Sequence, residues 1–127
     1  MNLFHRIKDI IITRKNFFKD KLSLSLLVVG LILNLSSWLY IYLNIKPQTE
    51  PIFLHYNIYY GVDLIGEWYD IYLYIPVVLL GIFFINAFFS YILYKRERKL
   101  AYLVESLNIF MQLSAVVASY LIVGQNI

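Results

Sequence analysis

LSLSLLVVGLILNLSSWLYIYLNI, Leu22 to Ile45, decides the fold: it runs for 24 residues without a charge. A helix rises about 1.5 Å per residue and the hydrocarbon core of a bilayer is about 30 Å thick, so about 20 such residues cross it. Two further runs have the same character. IYLYIPVVLLGIFFINAFFSYILY, Ile71 to Tyr94, is another 24 residues, and LNIFMQLSAVVASYLIVGQNI, Leu107 to Ile127, is 21, starting just after Glu105. A chain of 127 residues has too little else to bury three such segments in water. In hydrocarbon every peptide group must be bonded within the chain, and three segments cannot close a β-barrel, so the spans are helices.

Composition points the same way. The chain is 61% hydrophobic and 15% charged, where a soluble domain is about half apolar and about a quarter charged. It has no cysteine, which excludes disulfides, thiolate nucleophiles and zinc–thiolate sites. The expected fold class is an all-α membrane protein. It has three transmembrane helices, an N-terminal amphipathic interfacial helix and a structured extracytoplasmic loop. The segments are a basic amphipathic helix over 1–21, spans over 22–45 and 71–94, an aromatic-rich loop over 46–70, a basic turn leading into the third helix over 95–105, and the last span with a short tail over 106–127.

Lysine and arginine set the orientation. Arg6, Lys8, Arg14, Lys15, Lys19 and Lys21 precede the first span, and Lys95, Arg96, Arg98 and Lys99 lie between the second and third, whereas Lys46 alone lies in the 46–70 loop. Cytoplasmic loops carry the excess of basic residues. The amino end and the 95–99 turn are therefore expected in the cytoplasm, and the 46–70 loop and carboxyl end outside a cell membrane crossed several times. Trp38, Tyr40, Tyr42, Trp68, Tyr69, Tyr72 and Tyr74 mark the outer interface, and Tyr91, Tyr94 and Tyr102 the inner one. Asn44, Ile45 and Lys46 form no small-x-small cleavage pattern, so the first span reads as a retained signal anchor.

Before that span, Leu3, Phe4, Ile7, Ile10, Ile11, Phe17 and Phe18 recur at helical spacing, with most charges on the other side and Arg14 interrupting the stripe. Basic amphipathic helices of this kind lie along the membrane surface. The basic residues named above then face lipid, and anionic headgroups at the cytoplasmic face are the expected partner. Nucleic acid is not, because phosphate contacts would compete with the adjacent bilayer.

The spans carry amides at matched depths. The short 95–99 turn makes the second and third spans antiparallel neighbours. With Glu97 as the centre, Asn86 and Asn108 fall at one level, about 13 Å from the turn edges. Asn34 and Gln112 each lie 13 residues beyond a cytoplasmic lysine, Lys21 and Lys99, about 19 Å in. Interhelical hydrogen bonds contribute about 0.6–2 kcal/mol in membranes, and Asn34, Asn86, Asn108 and Gln112 are the expected interhelical polar contacts. Ser36, Ser37, Ser90, Ser106, Ser114 and Ser119 extend the candidate seam. Glu105 is expected near the inner interface, its carboxylate reaching water or Arg98 and Lys99. Pro76 bends or starts the second span, and no GxxxG motif or clean stripe of small residues signals dimerisation.

The loop KPQTEPIFLHYNIYYGVDLIGEWYD, Lys46 to Asp70, alternates from Ile52 onward and reads as one half-buried strand with Gly61 and Gly66 as turn residues. A single strand has nothing else in the chain to pair with, so it lies on the bundle or pairs with a partner. His55, Asn57, Asp63 and Trp68 are the candidate contact residues there. One histidine with scattered carboxylates has no metal-ligand spacing, and no metal or cofactor is expected.

Within this loop Leu54 to Tyr69, LHYNIYYGVDLIGEWY, resembles a segment of small uncharacterised bacterial three-span integral membrane proteins. There an HYN…G-D-IG…W pattern precedes an apolar span with a central asparagine, a basic turn and a last span. The matching residues are His55, Tyr56, Asn57, Gly61, Asp63, Ile65, Gly66 and Trp68, then Asn86 and the 94–99 turn, over about the last three fifths of the chain. The resemblance implies a three-span protein and brings no activity with it. The sequence thus reads as a non-enzymatic small membrane protein, an accessory or scaffolding subunit of a membrane complex that touches another membrane protein subunit. The alternatives are a small transporter or channel component using the polar seam, and a membrane enzyme with a site around His55 and Asp63.

Overall fold

A computed structural model of the chain describes residues 2–59 and 61–126, the side chains at 10–15, 56–57 and 62–63 excepted. The elements are α1 (Leu3–Lys19), α2 (Lys21–Asn44), β1 (Ile52–Asn57), β2 (Gly61–Gly66), α3 (Asp70–Arg96) and α4 (Arg98–Gln125). Helices α2, α3 and α4 are each long and apolar enough to span a membrane, which supports a multi-pass membrane location. The breaks between helices are minimal. Asp20 turns out of helical geometry at ψ 108° and caps α2, its Oδ1 accepting the N–H groups of Leu22 and Ser23 at 3.0 and 3.2 Å. Between α3 and α4 only Glu97 is extended, at φ −154° and ψ 119°.

Helix α4 packs along both α2 and α3, which touch each other far less. Its buried residues are Ala101, Glu105, Asn108, Gln112, Ala115, Ser119 and Val123, and those of α2 are Ser23, Gly30, Asn34, Ser37 and Ile41. Both sets recur at steps of three, four or seven, close to the heptad repeat of a helix pair that stays in contact along its length. The residues on these seams are mostly small or polar, whereas Val28, Ile32, Leu39, Phe84, Phe88, Phe110 and Leu121 face outward. That inversion follows from the solvent. Lipid gives apolar side chains no reason to leave it, so close backbone approach and hydrogen bonds hold such helices together. A stripe of small residues was not expected, because serines, asparagines and a single glycine share the positions that GxxxG would give to glycine alone.

Pro76 lies inside a π-helical turn, Leu73–Val77, within α3. Proline has no N–H for the carbonyl one turn earlier, and widening the turn absorbs the misfit without breaking the span.

The loop departs from the single strand expected of it. β1 and β2 form an antiparallel hairpin, with Ile52 opposite Gly66, Phe53 opposite Ile65, His55 opposite Leu64, Tyr56 opposite Val62 and Asn57 opposite Gly61. Gly61, at φ +76°, supplies the backbone conformation that lets the chain reverse. Irregularities on either side of His55 leave Leu54 and Asp63 without opposite numbers. Such bulges disturb alternation and hide β2 from a period-two reading. The hairpin rests on the end of the bundle away from α1. Ile52 and Leu54 are buried there with Ile41, Ile45, Ile71, Ile75, Ala115 and Val123, and Tyr40, Trp68 and Tyr72 pack around them.

Candidate functional site

The most elaborate chemistry lies between α2, α3 and α4, as a ladder of polar side chains starting at the end of the bundle that bears α1. At its foot is Asp20. Its Oδ2 accepts the hydroxyls of Tyr94 on α3 and Tyr102 on α4 at 2.8 and 2.5 Å, so one carboxylate ties the first turn of α2 to both other spans. Partial burial pulls its pKa upward, but the hydrogen bonds from Tyr102, the Ser23 N–H, Tyr94 and the Leu22 N–H together outweigh it and hold the carboxyl below its ordinary 3.8. Phe17 of α1 is buried beside this cluster, edge-on to Tyr91 and Tyr94 with ring centroids 5.4 and 5.5 Å away. Asn16, Lys19, Asp20, Tyr94, Arg98 and Tyr102 line an open cleft of about 560 Å³.

One turn deeper sits Glu105, with 1% of its surface exposed. The expectation of an acid reaching water or Arg98 and Lys99 is therefore corrected. Ser23 and Ser90 both donate to its Oε1, Ser90 at 2.5 Å, and Oε2 has no hydrogen-bond partner. The reason is rotational: Glu105 lies on the buried face of α4 with Ala101, Asn108 and Gln112, and depth alone does not fix the face.

The next level holds Asn108, fully buried. Its Oδ1 accepts from Asn86 Nδ2 at 3.3 Å and from Gln112 Nε2 at 3.2 Å, and its Nδ2 has no partner. Asn86 is half-buried, its Nδ2 also lying 3.6 Å from Met111 Sδ. Gly30 opposite is a point of close approach: a Cβ there would come within 2.8 Å of Asn108 Nδ2. Above it, Gln112 donates to the Leu79 carbonyl at 2.8 Å and accepts from Asn34 Nδ2 at 2.9 Å. Asn34 also donates to the Pro76 carbonyl at 3.2 Å, and its Oδ1 accepts the Trp38 indole N–H at 2.9 Å. Trp38 then stacks on Tyr72, 5.5 Å between centroids.

The structure thus brings Asn34 to Gln112 and Asn86 to Asn108. Of the candidate serines, Ser90 joins the ladder between helices and Ser37 donates to the Asn34 carbonyl at 2.7 Å. Ser36, Ser106, Ser114 and Ser119 each donate to a carbonyl of their own helix. Sequence reasoning missed Ser23, whose position three residues after a helix-capping aspartate was the available signal.

The hairpin end carries the remaining candidates. His55 is exposed on β1 and Trp68 is half-buried, edge-on to Tyr69 at 5.7 Å. The side chains of Asn57 and Asp63, like those of Arg14 and Lys15, lie outside the described set. Asn126 was not foreseen: it pairs in both directions with the backbone of Phe53, accepting its N–H at 2.7 Å and donating to its carbonyl at 2.8 Å. The basic residues Arg6, Lys8, Lys19, Lys21, Lys95, Arg96, Arg98 and Lys99 are all exposed. Among the described residues no three histidine, aspartate or glutamate side chains gather as metal ligands.

No protein family, curated protein or solved structure compared with the chain matches it. The chain is a small, almost wholly helical protein with three membrane-length helices and an extramembrane β-hairpin.

Proposed function

We propose that this chain is a non-enzymatic membrane protein, an accessory or scaffolding subunit of a membrane complex, and that its β-hairpin is the arm that docks on a neighbouring membrane subunit. The observation that carries the reading is the hairpin tip. Ile58 and Tyr59 are 80% and 87% exposed, while Ile52, Leu54 and the Asn126 amide fix the base of the hairpin on the bundle. A rigid base presenting apolar residues at a turn loses little order on binding, which favours association. In the proposed orientation α1 and Glu97 lie in the cytoplasm, the exposed lysines and arginines meet anionic lipid, and the hairpin stands outside.

A photo-crosslinking residue at position 58 should give one discrete adduct with another membrane protein in native membranes. Adducts with lipid alone, or none, would remove the scaffold reading. A reporter joined after residue 127 should be active outside the cell, and activity in the cytoplasm would reverse the orientation while leaving the docking arm open to test. The ladder also suits a transport component, the second reading. In a single chain, however, its amides other than Asn108 Nδ2 bond to one another and to the Pro76 and Leu79 carbonyls, an arrangement that favours packing over passage.

A further inference from the structure

The hydrogen bonds of the ladder form two separate chains. In the first, Tyr94 and Tyr102 donate their hydroxyls to Asp20, Ser23 donates its backbone N–H to Asp20 and its hydroxyl to Glu105, and Ser90 also donates to Glu105. The second joins Asn86, Asn108, Gln112, Asn34 and Trp38. Among the described residues two buried side-chain atoms have no hydrogen-bond partner, one in each chain: Glu105 Oε2, an acceptor, and Asn108 Nδ2, a donor. Their residues stand three apart on the buried face of α4, a rise of about 4.5 Å.

A carboxylate inside a span with no basic partner is costly, and such groups commonly mark proton routes. No described basic residue pairs with Glu105, whose bonds are to two hydroxyls on one oxygen. We propose that Glu105 is a proton-exchange site, reached by protons from the α1 end of the bundle, where the Asp20–Tyr102 cluster stands between it and the open cleft. The inference does not depend on the docking role of the hairpin. In the loading step a hydronium ion of the bulk gives up one proton: its O–H bond breaks as an O–H bond forms at Oε2, the side chain passes from −1 to neutral, a neutral water is left, and release is the reverse. The protonated Oε2 is then a donor.

Every charged or titratable group named around the site has a place in this step. From α2, Asp20, held ionised by its four hydrogen bonds, supplies the negative charge that draws a proton toward this end of the bundle. From α3 and α4, the Tyr94 and Tyr102 hydroxyls connect Asp20 to the open cleft, where Lys19 and Arg98 face water.

The test is infrared spectroscopy of the full chain in lipid bilayers, reading the C=O stretching band of a protonated carboxyl against bulk pH. The expected band grows as pH falls, disappears in Glu105→Gln and shifts in frequency in Ser90→Ala, which removes one hydrogen bond from the group. Asp20→Asn keeps a capping oxygen for α2 and should slow exchange of the band from H2O to D2O severalfold at unchanged helix content. A band identical in wild type and Glu105→Gln, or absent at every pH at which the wild type stays folded, overturns the site. If Glu105→Gln does not fold, an unshifted band in Ser90→Ala does the same. Loss of the band on adding sodium at constant pH assigns the site to a metal cation and overturns the proton. Unchanged exchange in Asp20→Asn overturns the loading route.

Discussion

Gly30 shows how little slack the bundle has at one atom. A Cβ at this position would sit 2.8 Å from Asn108 Nδ2 and 3.5 Å from the Phe83 ring, with Asn108 already bonded to Asn86 and Gln112. Gly30→Ala should lower the stability of the detergent-solubilised protein by about 1–3 kcal/mol, the usual cost of overpacking, read from its unfolding in a denaturing detergent. Gly81→Ala and Gly124→Ala, where an added methyl meets open space, should leave it unchanged or slightly raised. Asp20 gives a pH dependence. Its folded pKa lies below the ordinary 3.8, so its contribution is complete above 3.8 and fades as pH falls through the lower folded value. Acid titration of stability should show that limb in the wild type and lose it in Asp20→Asn.

At the scale of the element, the π-helical turn in α3 and the asparagine of α2 belong together. Pro76 widens the turn, and Asn34 bonds the Pro76 carbonyl while also holding Gln112. A double-mutant cycle with Asn34→Leu and Gln112→Leu should give a coupling of about 0.6–1.7 kcal/mol, the range measured for such bonds in membranes. The hairpin depends on a side chain rather than on a neighbouring strand. Asn126→Ala removes both bonds to Phe53, a loss of about 0.5–1.5 kcal/mol for each, and should speed hydrogen exchange at the Phe53 amide while the spans stay protected. Gly66 fails differently: a Cβ there would come within 2.5 Å of Leu54 and 2.7 Å of Asp70, so Gly66→Ala should loosen β1 even though Asn126 is intact.

For the molecule as a whole, the spans were legible because a charge-free run of this length has one stable environment, and that argument needs no knowledge of packing. Matched depth also placed Asn34 with Gln112 and Asn86 with Asn108, since depth along a helix follows from counting residues. What counting does not supply is rotation about the helix axis. Glu105 was misjudged for that reason, and Ser23, its partner 82 residues away, had no depth-matched acid in view. The second strand was hidden by the irregular register around His55, and Asn126 by lying just past the end of an apolar helix, beside a second amide, Gln125.

The polar groups of α2 find their partners late in the chain: Asn34 is 78 residues from Gln112, and Ser23 is 82 from Glu105. During synthesis, α2 enters the bilayer while the segment that completes its interior has yet to leave the ribosome. For that interval its amide and hydroxyl groups must be sheltered by the insertion machinery, by water drawn into the membrane or by a chaperone. Assembly is therefore ordered in time, with the last helix acting as the closing piece, and nascent chains halted before Arg98 are the form most exposed to quality-control proteases.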